Sequence, residues 1–180
     1  MNDLHLKLIR RILDAADQHG MPLWIGGGWA IDARLGRITR EHDDIDLTFP
    51  EERKDEFLEL IGSLGGHVGE ETEYGFLADL QGVLLDCEPA RWNGQAYEIE
   101  DAPPNACPMR AEGELAGLSV PCNSWDAILW DYFFYADEVP SSQWPGKHVQ
   151  SYALAVEAFG HDKTARLRML FDARRASPTA

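Results

Sequence analysis

The chain has 180 residues, 44% of them hydrophobic, with 16 Lys and Arg against 31 Asp and Glu and a formal net charge of −15. That length supports one domain, or a small domain with a helical appendage, around a proper core. The negative field repels nucleic acid and anionic membrane and attracts cations, and no apolar run is long enough to span a bilayer.

In chain order, "MNDLHLKLIRRILDAADQHG" sets Leu4, Leu8, Ile12 and Ala16 at helical spacing, with Gly20 and Pro22 closing the helix. Charges run through this stretch, so it is no signal peptide. "PLWI" is a short apolar strand broken by "GGG", and "WAIDARLG" is a short helix ended by Gly36. After the polar turn "RITREH" comes the strand "DIDLTF", and Pro50 opens the helix "EERKDEFLELIGSLG". "HVGEETEYGFLADLQGVLLDCEP" alternates with glycine-containing breaks, as successive antiparallel strands do. "QAYEIE" adds a further strand, residues 101–117 read as loop, and "LSVPC" is a last short strand. Asn123 or Ser124 caps the helix "WDAILWDYFFYAD", and helices follow from about Pro145 to Phe159 and from Asp162 to Ala176. The fold class is therefore α+β: a small mixed β-sheet unit with flanking helices over residues 1–122, then a C-terminal helical unit over 123–180. A cleft between the two is the default ligand site. Cys87, Cys107 and Cys122 lack CxxC or Cys/His metal spacing and read as reduced thiols of a cytoplasmic protein.

The chemistry concentrates in "HDDIDLTF". Residues i and i+2 of a strand share a face, about 6.5–7 Å apart at Cα. Asp44, Asp46 and Thr48 therefore look one way while Ile45, Leu47 and Phe49 pack inward, and Asp43 falls outside the pattern as a loop residue. Two carboxylates on one rigid face repel unless a hard cation is shared between them, and Mg²⁺ is the natural candidate. In "VLLDCE", Asp86 and Glu88 likewise share a face. If that strand lies beside the first, Asp86 joins Asp44 and Asp46, either as a metal ligand or as the acceptor of a proton from an attacking hydroxyl. "GGGW" has the outline of a dinucleotide-binding turn, but Ile31 occupies the third glycine position. It reads better as a tight turn whose backbone N–H groups approach a triphosphate, or simply as a helix-entry turn.

Together, "GGGWAIDARLGRITREHDDIDLTF" and "LLDCEP" resemble the nucleotidyltransferases of the DNA-polymerase-β superfamily, and more closely the aminoglycoside 2″-O-nucleotidyltransferases. "PLWIGGGWAIDARLGR", "HDDIDLTFP", "YGFLA", "LLDCEPA", "CNSW" and "WDYF" with "YADEVP" all carry the likeness over nearly the whole chain. The resemblance implies that the sheet unit is a nucleotidyltransferase domain and the helical unit a substrate-binding one. It implies transfer of AMP from ATP to the 2″-hydroxyl of an aminoglycoside, release of pyrophosphate and resistance to the drug. Asp44 and Asp46 then bind Mg²⁺, or Mn²⁺ in its place, Asp86 is the third carboxylate, and Gly27 and Gly28 cradle phosphate. Many superfamily members carry Ser after the first Gly, whereas this turn offers backbone only. Arg40 and Lys147 are the candidate phosphate partners, each with a solvated surface charge as the alternative.

A polycationic substrate gives the acidity a purpose. Glu88 is the first choice to meet its ammonium groups, followed by Asp131 and Glu138, with Tyr74, Tyr132, Tyr135 and Trp130 to stack or hydrogen-bond. Phe133 and Phe134 read as helix packing. A monomer is expected, with no nucleic-acid or membrane partner. Two other readings stand beside this one: a lincosamide nucleotidyltransferase, and a non-catalytic, antitoxin-like binding protein on the same fold.

Overall fold

The structure, a computed structural model, describes residues 1–176; residues 177–180, the end of the expected helical unit, lie outside the described part. Helix α1 (Asn2–Gln18) buries Leu8, Ile12 and Ala16 of the stripe its spacing predicts, together with Ile9, whereas Leu4 at the first turn is exposed. The strand expected over "PLWI" is reduced to β1 (Trp24–Ile25), because α2 (Gly27–Leu35) begins at the glycines themselves. Strand β2 (Asp44–Pro50) runs through Pro50, and a single 3₁₀ turn precedes α3 (Lys54–Ser63).

Strands β3 (His67–Thr72), β4 (Gly75–Leu80) and β5 (Val83–Trp92) form the expected antiparallel meander. The sheet order is β1-β2-β5-β4-β3, with β6 (Tyr97–Ile99) pairing the far end of β5. Because α3, β3 and β4 intervene, β5 returns parallel to β2, which makes the sheet mixed. Its inner face carries Ile45, Leu47, Phe49, Phe76, Leu85 and Cys87, all buried with Phe57 and Ile61 of α3. Phe49 stacks on Phe57 with ring centroids 4.8 Å apart.

The segment 101–117, expected as loop, contains β7 (Gly113–Leu115), which pairs with β8 (Leu118–Val120). The turn between them takes positive φ at both Ala116 (49°) and Gly117 (79°), the tight-hairpin geometry that "AG" announces only weakly.

Ser124 caps α4 (Trp125–Glu138) by accepting from the Ala127 N–H at 3.2 Å. Asn123 is buried instead, and its Oδ1 accepts from the Thr48 hydroxyl at 3.2 Å. Helices α5 (Gly146–Phe159) and α6 (His161–Ala176) complete the described residues. Trp130, read as a stacking candidate, is a core residue: it packs edge-on against Phe171 of α6, 5.0 Å between centroids. The three cysteines are free and buried, as expected of reduced thiols.

Candidate active site

Strand alternation and pairing together build a carboxylate face. In the β2–β5 register Asp46 lies opposite Asp86, Thr48 opposite Glu88 and Asp44 opposite Leu84, with the strands about 4.8 Å apart. The face opposite the apolar core therefore displays Asp44, Asp46, Asp86 and Glu88 as a compact group. Helix α4 adds Asp131, which repels both Asp46 and Glu88. Asp131 itself is exposed to solvent.

The crowding changes proton affinities. Burial, then the charges of Asp44, Asp86 and Asp131, raise Asp46 to about 7. Burial, then Asp131, Asp86 and Asp46, raise Glu88 to about 8. Burial raises Asp131 to about 7, and burial with the charge of Asp44 raises Asp86. A site that resists its own ionisation is one that a cation would complete.

The glycines are explained by what they touch. The Gly26 N–H donates to the Asp46 carbonyl at 2.9 Å. Gly27, with φ of +49°, lies so close to the Asp46 carboxylate that a Cβ would strike it. A Cβ on Gly28 would strike the Arg40 guanidinium and come within 2.8 Å of His42 Nδ1. Helix α2 thus starts against the Asp46 carboxylate, and its first N–H groups are the unpaired donors of a helix N-terminus.

Arg40 donates from Nε to Ser151 Oγ at 3.1 Å and from Nη1 to the Glu41 carbonyl at 2.8 Å, which leaves Nη2 at Gly28. Lys147 also reaches this loop, but its ammonium pairs with Asp43 at 2.6 Å, and that bond holds the Asp43 carboxyl below its ordinary range. Tyr132 and Tyr135 belong to an aromatic cluster with Trp144, His148 and Tyr152. Tyr132 lies 5.4 Å from Tyr152, and Tyr135 lies 5.2 Å from Trp144 and 5.1 Å from His148, centroid to centroid. Sequence alone places none of the last three in the site, although His148 and Tyr152 sit at i and i+4 on one helix. Glu138 is exposed at the end of α4, on the face of Asp131 and Tyr135 by helical spacing. Tyr74 is exposed in the β3–β4 turn, beside Gly75, which presses on the β5 backbone at Cys87 and Glu88.

Among the described residues, no three His, Cys, Asp or Glu side chains are drawn into a preformed metal cage. The donor set still fits a hard divalent ion. It is all carboxylate oxygen, and Asp44, Asp46 and Asp86 share one face of two paired strands.

The model of the aminoglycoside-2″-adenylyltransferase family matches residues 8–168. A 2″-aminoglycoside nucleotidyltransferase of Escherichia coli is 58% identical over 177 residues, covering 98% of this chain and 100% of the relative. The crystal structure of ANT(2″)-Ia in complex with adenylyl-2″-tobramycin has a TM-score of 0.95 at 58% identity, covering 96% of this chain and 99% of that one. The lincomycin-bound lincosamide adenylyltransferase LnuA has a TM-score of 0.61 at 17% identity, covering 80% and 91%, a likeness of fold.

Proposed function

The chain belongs to the aminoglycoside-2″-adenylyltransferase family, and from that premise we propose that it transfers AMP from MgATP to the 2″-hydroxyl of an aminoglycoside. Pyrophosphate is released, and the modified drug no longer acts. The observation that carries the reading is the facing of Asp46 and Asp86 across β2 and β5, with Gly27 set against Asp46.

Asp44 and Asp46 would hold the divalent ion, which supplies charge neutralisation for the triphosphate. Gly27 and Gly28 offer backbone N–H groups to phosphate oxygens, and the Arg40 guanidinium at Gly28 counters the charge of the leaving pyrophosphate. Asp86 accepts the proton of the attacking hydroxyl, a task suited by a carboxyl raised above its ordinary value. The sugar oxygen bonds to the α-phosphorus as the bridging oxygen to the β-phosphate leaves in line.

Glu88, Asp131 and Glu138 draw in ammonium groups, while Tyr74, Tyr132 and Tyr135 give the sugar rings aromatic and hydroxyl contacts. Tyr132 keeps its phenolic proton, since burial pushes it to about 12, and so can donate it. The test is mass spectrometry of protein, MgATP and tobramycin, with lincomycin as the second arm. One AMP adduct on tobramycin and none on lincomycin is expected; pyrophosphate release that does not depend on the aminoglycoside overturns the reading.

A further inference from the structure

Asp32 is a fully buried carboxylate in the middle of α2, one turn beyond Gly28. Its Oδ2 accepts from the Thr39 N–H at 3.0 Å, its Oδ1 accepts from the Thr39 hydroxyl at 2.6 Å, and His42 Nε2 lies 2.8 Å from Oδ2. A carboxylate offers acceptors only, so His42 Nε2 is the donor, which turns Nδ1 towards Gly28. The His42 ring stacks on Trp29, 4.1 Å between centroids at 27°. Trp29 Nε1 in turn donates to the Asp44 carbonyl at 3.1 Å. The loop is closed from its other side by Asn2, which donates to the Arg40 carbonyl at 2.7 Å and accepts from the His42 N–H at 3.1 Å.

These bonds converge on the residues 37–43, which carry Arg40 and deliver the chain to Asp44. We infer that Asp32 and His42 are a positioning pair for adenylyl transfer, fixing this loop so that Arg40 and Asp44 stay in register with the Gly27–Gly28 turn. Neither side chain meets the reacting atoms, since Asp32 is 0% and His42 1% exposed. Glu88, Asp131 and Glu138 share none of these bonds, so the pair serves the nucleotide side of the site, while the loop meets the helix of the aromatic cluster through Arg40 on Ser151, Gln150 on the Thr39 carbonyl and Lys147 on Asp43. The inference rests on the nucleotide-transfer reading above.

The experiment compares the whole chain with Asp32→Asn, His42→Gln and the double variant. It measures kcat and KM for MgATP, calorimetric affinity for tobramycin without nucleotide, and the thermal midpoint. Removing a residue that orients a ligating group commonly costs 10–100-fold. Each single variant should therefore lose about that much kcat/KM for MgATP while tobramycin affinity stays within about twofold. The double variant should be no worse than the poorer single one, because one residue acts through the other. Nucleotide parameters within about twofold of the unmodified chain overturn the inference. So does a parallel loss of tobramycin affinity, or losses that multiply in the double variant. If these variants do not fold, Thr39→Val removes one donor to Asp32 from a half-buried loop position and must show the same split between substrates. An unmodified chain without MgATP-dependent transfer would instead sink the function reading, before any variant is compared.

Discussion

Asp46 and Asp86 are direct register partners across the parallel β2–β5 pair, and burial and neighbouring carboxylates hold both above the ordinary carboxylate range. Their assigned roles differ, so their amides should fail differently. Asp86→Asn keeps the shape of the site but removes the proton acceptor, and general-base loss costs about 10²–10⁴-fold in rate. Its kcat should fall by that order with the Mg²⁺ requirement unchanged. Asp46→Asn should lower kcat and raise the Mg²⁺ concentration needed for half-maximal rate. Pyrophosphate release measured across a Mg²⁺ series separates the two, and full activity in either variant refutes its role.

Gly27 and Gly36 stand at opposite ends of α2, both with positive φ, 49° and 65°. A Cβ on Gly27 would enter the Asp46 carboxylate, whereas one on Gly36 meets nothing within 4 Å. Alanine at either position bears left-handed strain of about 1–2 kcal/mol. Only Gly27→Ala must also displace Asp46. Gly36→Ala should lower the thermal midpoint and leave kcat intact, while Gly27→Ala should lose at least about tenfold in kcat among folded molecules. Equal activity in the two variants would separate Gly27 from the site.

The raised carboxyls make stability fall as pH rises. Asp46 moves from 3.8 to about 7 and Glu88 from 4.5 to about 8, so the folded chain binds these protons more tightly than the unfolded one. Their contribution is complete below the unfolded values and is lost as pH climbs through 7 and 8. The paired carboxyls Asp43, Glu51 and Glu56 are lowered and act oppositely in acid, but exposed pairs contribute little. The thermal midpoint without ligands should therefore be higher at about pH 5.5 than at about pH 8.5. MgATP or an aminoglycoside, by supplying cations to the same carboxylates, should flatten that dependence. A midpoint that rises with pH over this range would show the face to be less crowded than its geometry indicates.

Much of this site is written in local periodicity. Alternation by two puts Asp44 with Asp46 on one face of their strand and Asp86 with Glu88 on one face of theirs, without knowledge of any partner strand. The one-to-one register of Asp46 with Asp86 is not local, because it depends on β5 returning parallel to β2 after a long excursion. Asp32 was invisible for the same reason: inside "WAIDARLG" it is one polar residue on a helix, and its partners Thr39 and His42 come from the following loop. Trp130 shows where periodicity fails. Helix α4 carries aromatic residues both on its core side and on the side that meets α5, so spacing could not tell Trp130, buried against Phe171, from Tyr135 beside His148. Trp130→Ala should consequently cost about 3–5 kcal/mol of stability and leave the aminoglycoside affinity of folded molecules unchanged, as paired denaturation and calorimetry will show.

The net charge of −15 acquires a function only if the acidic face recognises a polycation. Glu88 and Asp131 come from different elements, β5 and α4, yet are close enough for the Asp131 charge to raise Glu88. Neutralising one removes an attraction for ammonium groups but also relieves repulsion and leaves the other more fully ionised, so each single loss is cushioned and the double variant should lose more than the sum of the two. Glu88→Gln and Asp131→Asn should each weaken tobramycin binding by about 5–30-fold, taking a partly buried charge pair at roughly 1–2 kcal/mol. In the unmodified chain, affinity should fall steeply between 50 mM and 500 mM salt, because screening shortens the reach of the face from about 14 Å to about 4 Å. The double variant should lose most of that salt dependence. If binding in the unmodified chain were indifferent to salt, recognition would have to rest on the aromatic cluster of Tyr132 and Tyr135, and the acidity of the chain would be a matter of solubility alone.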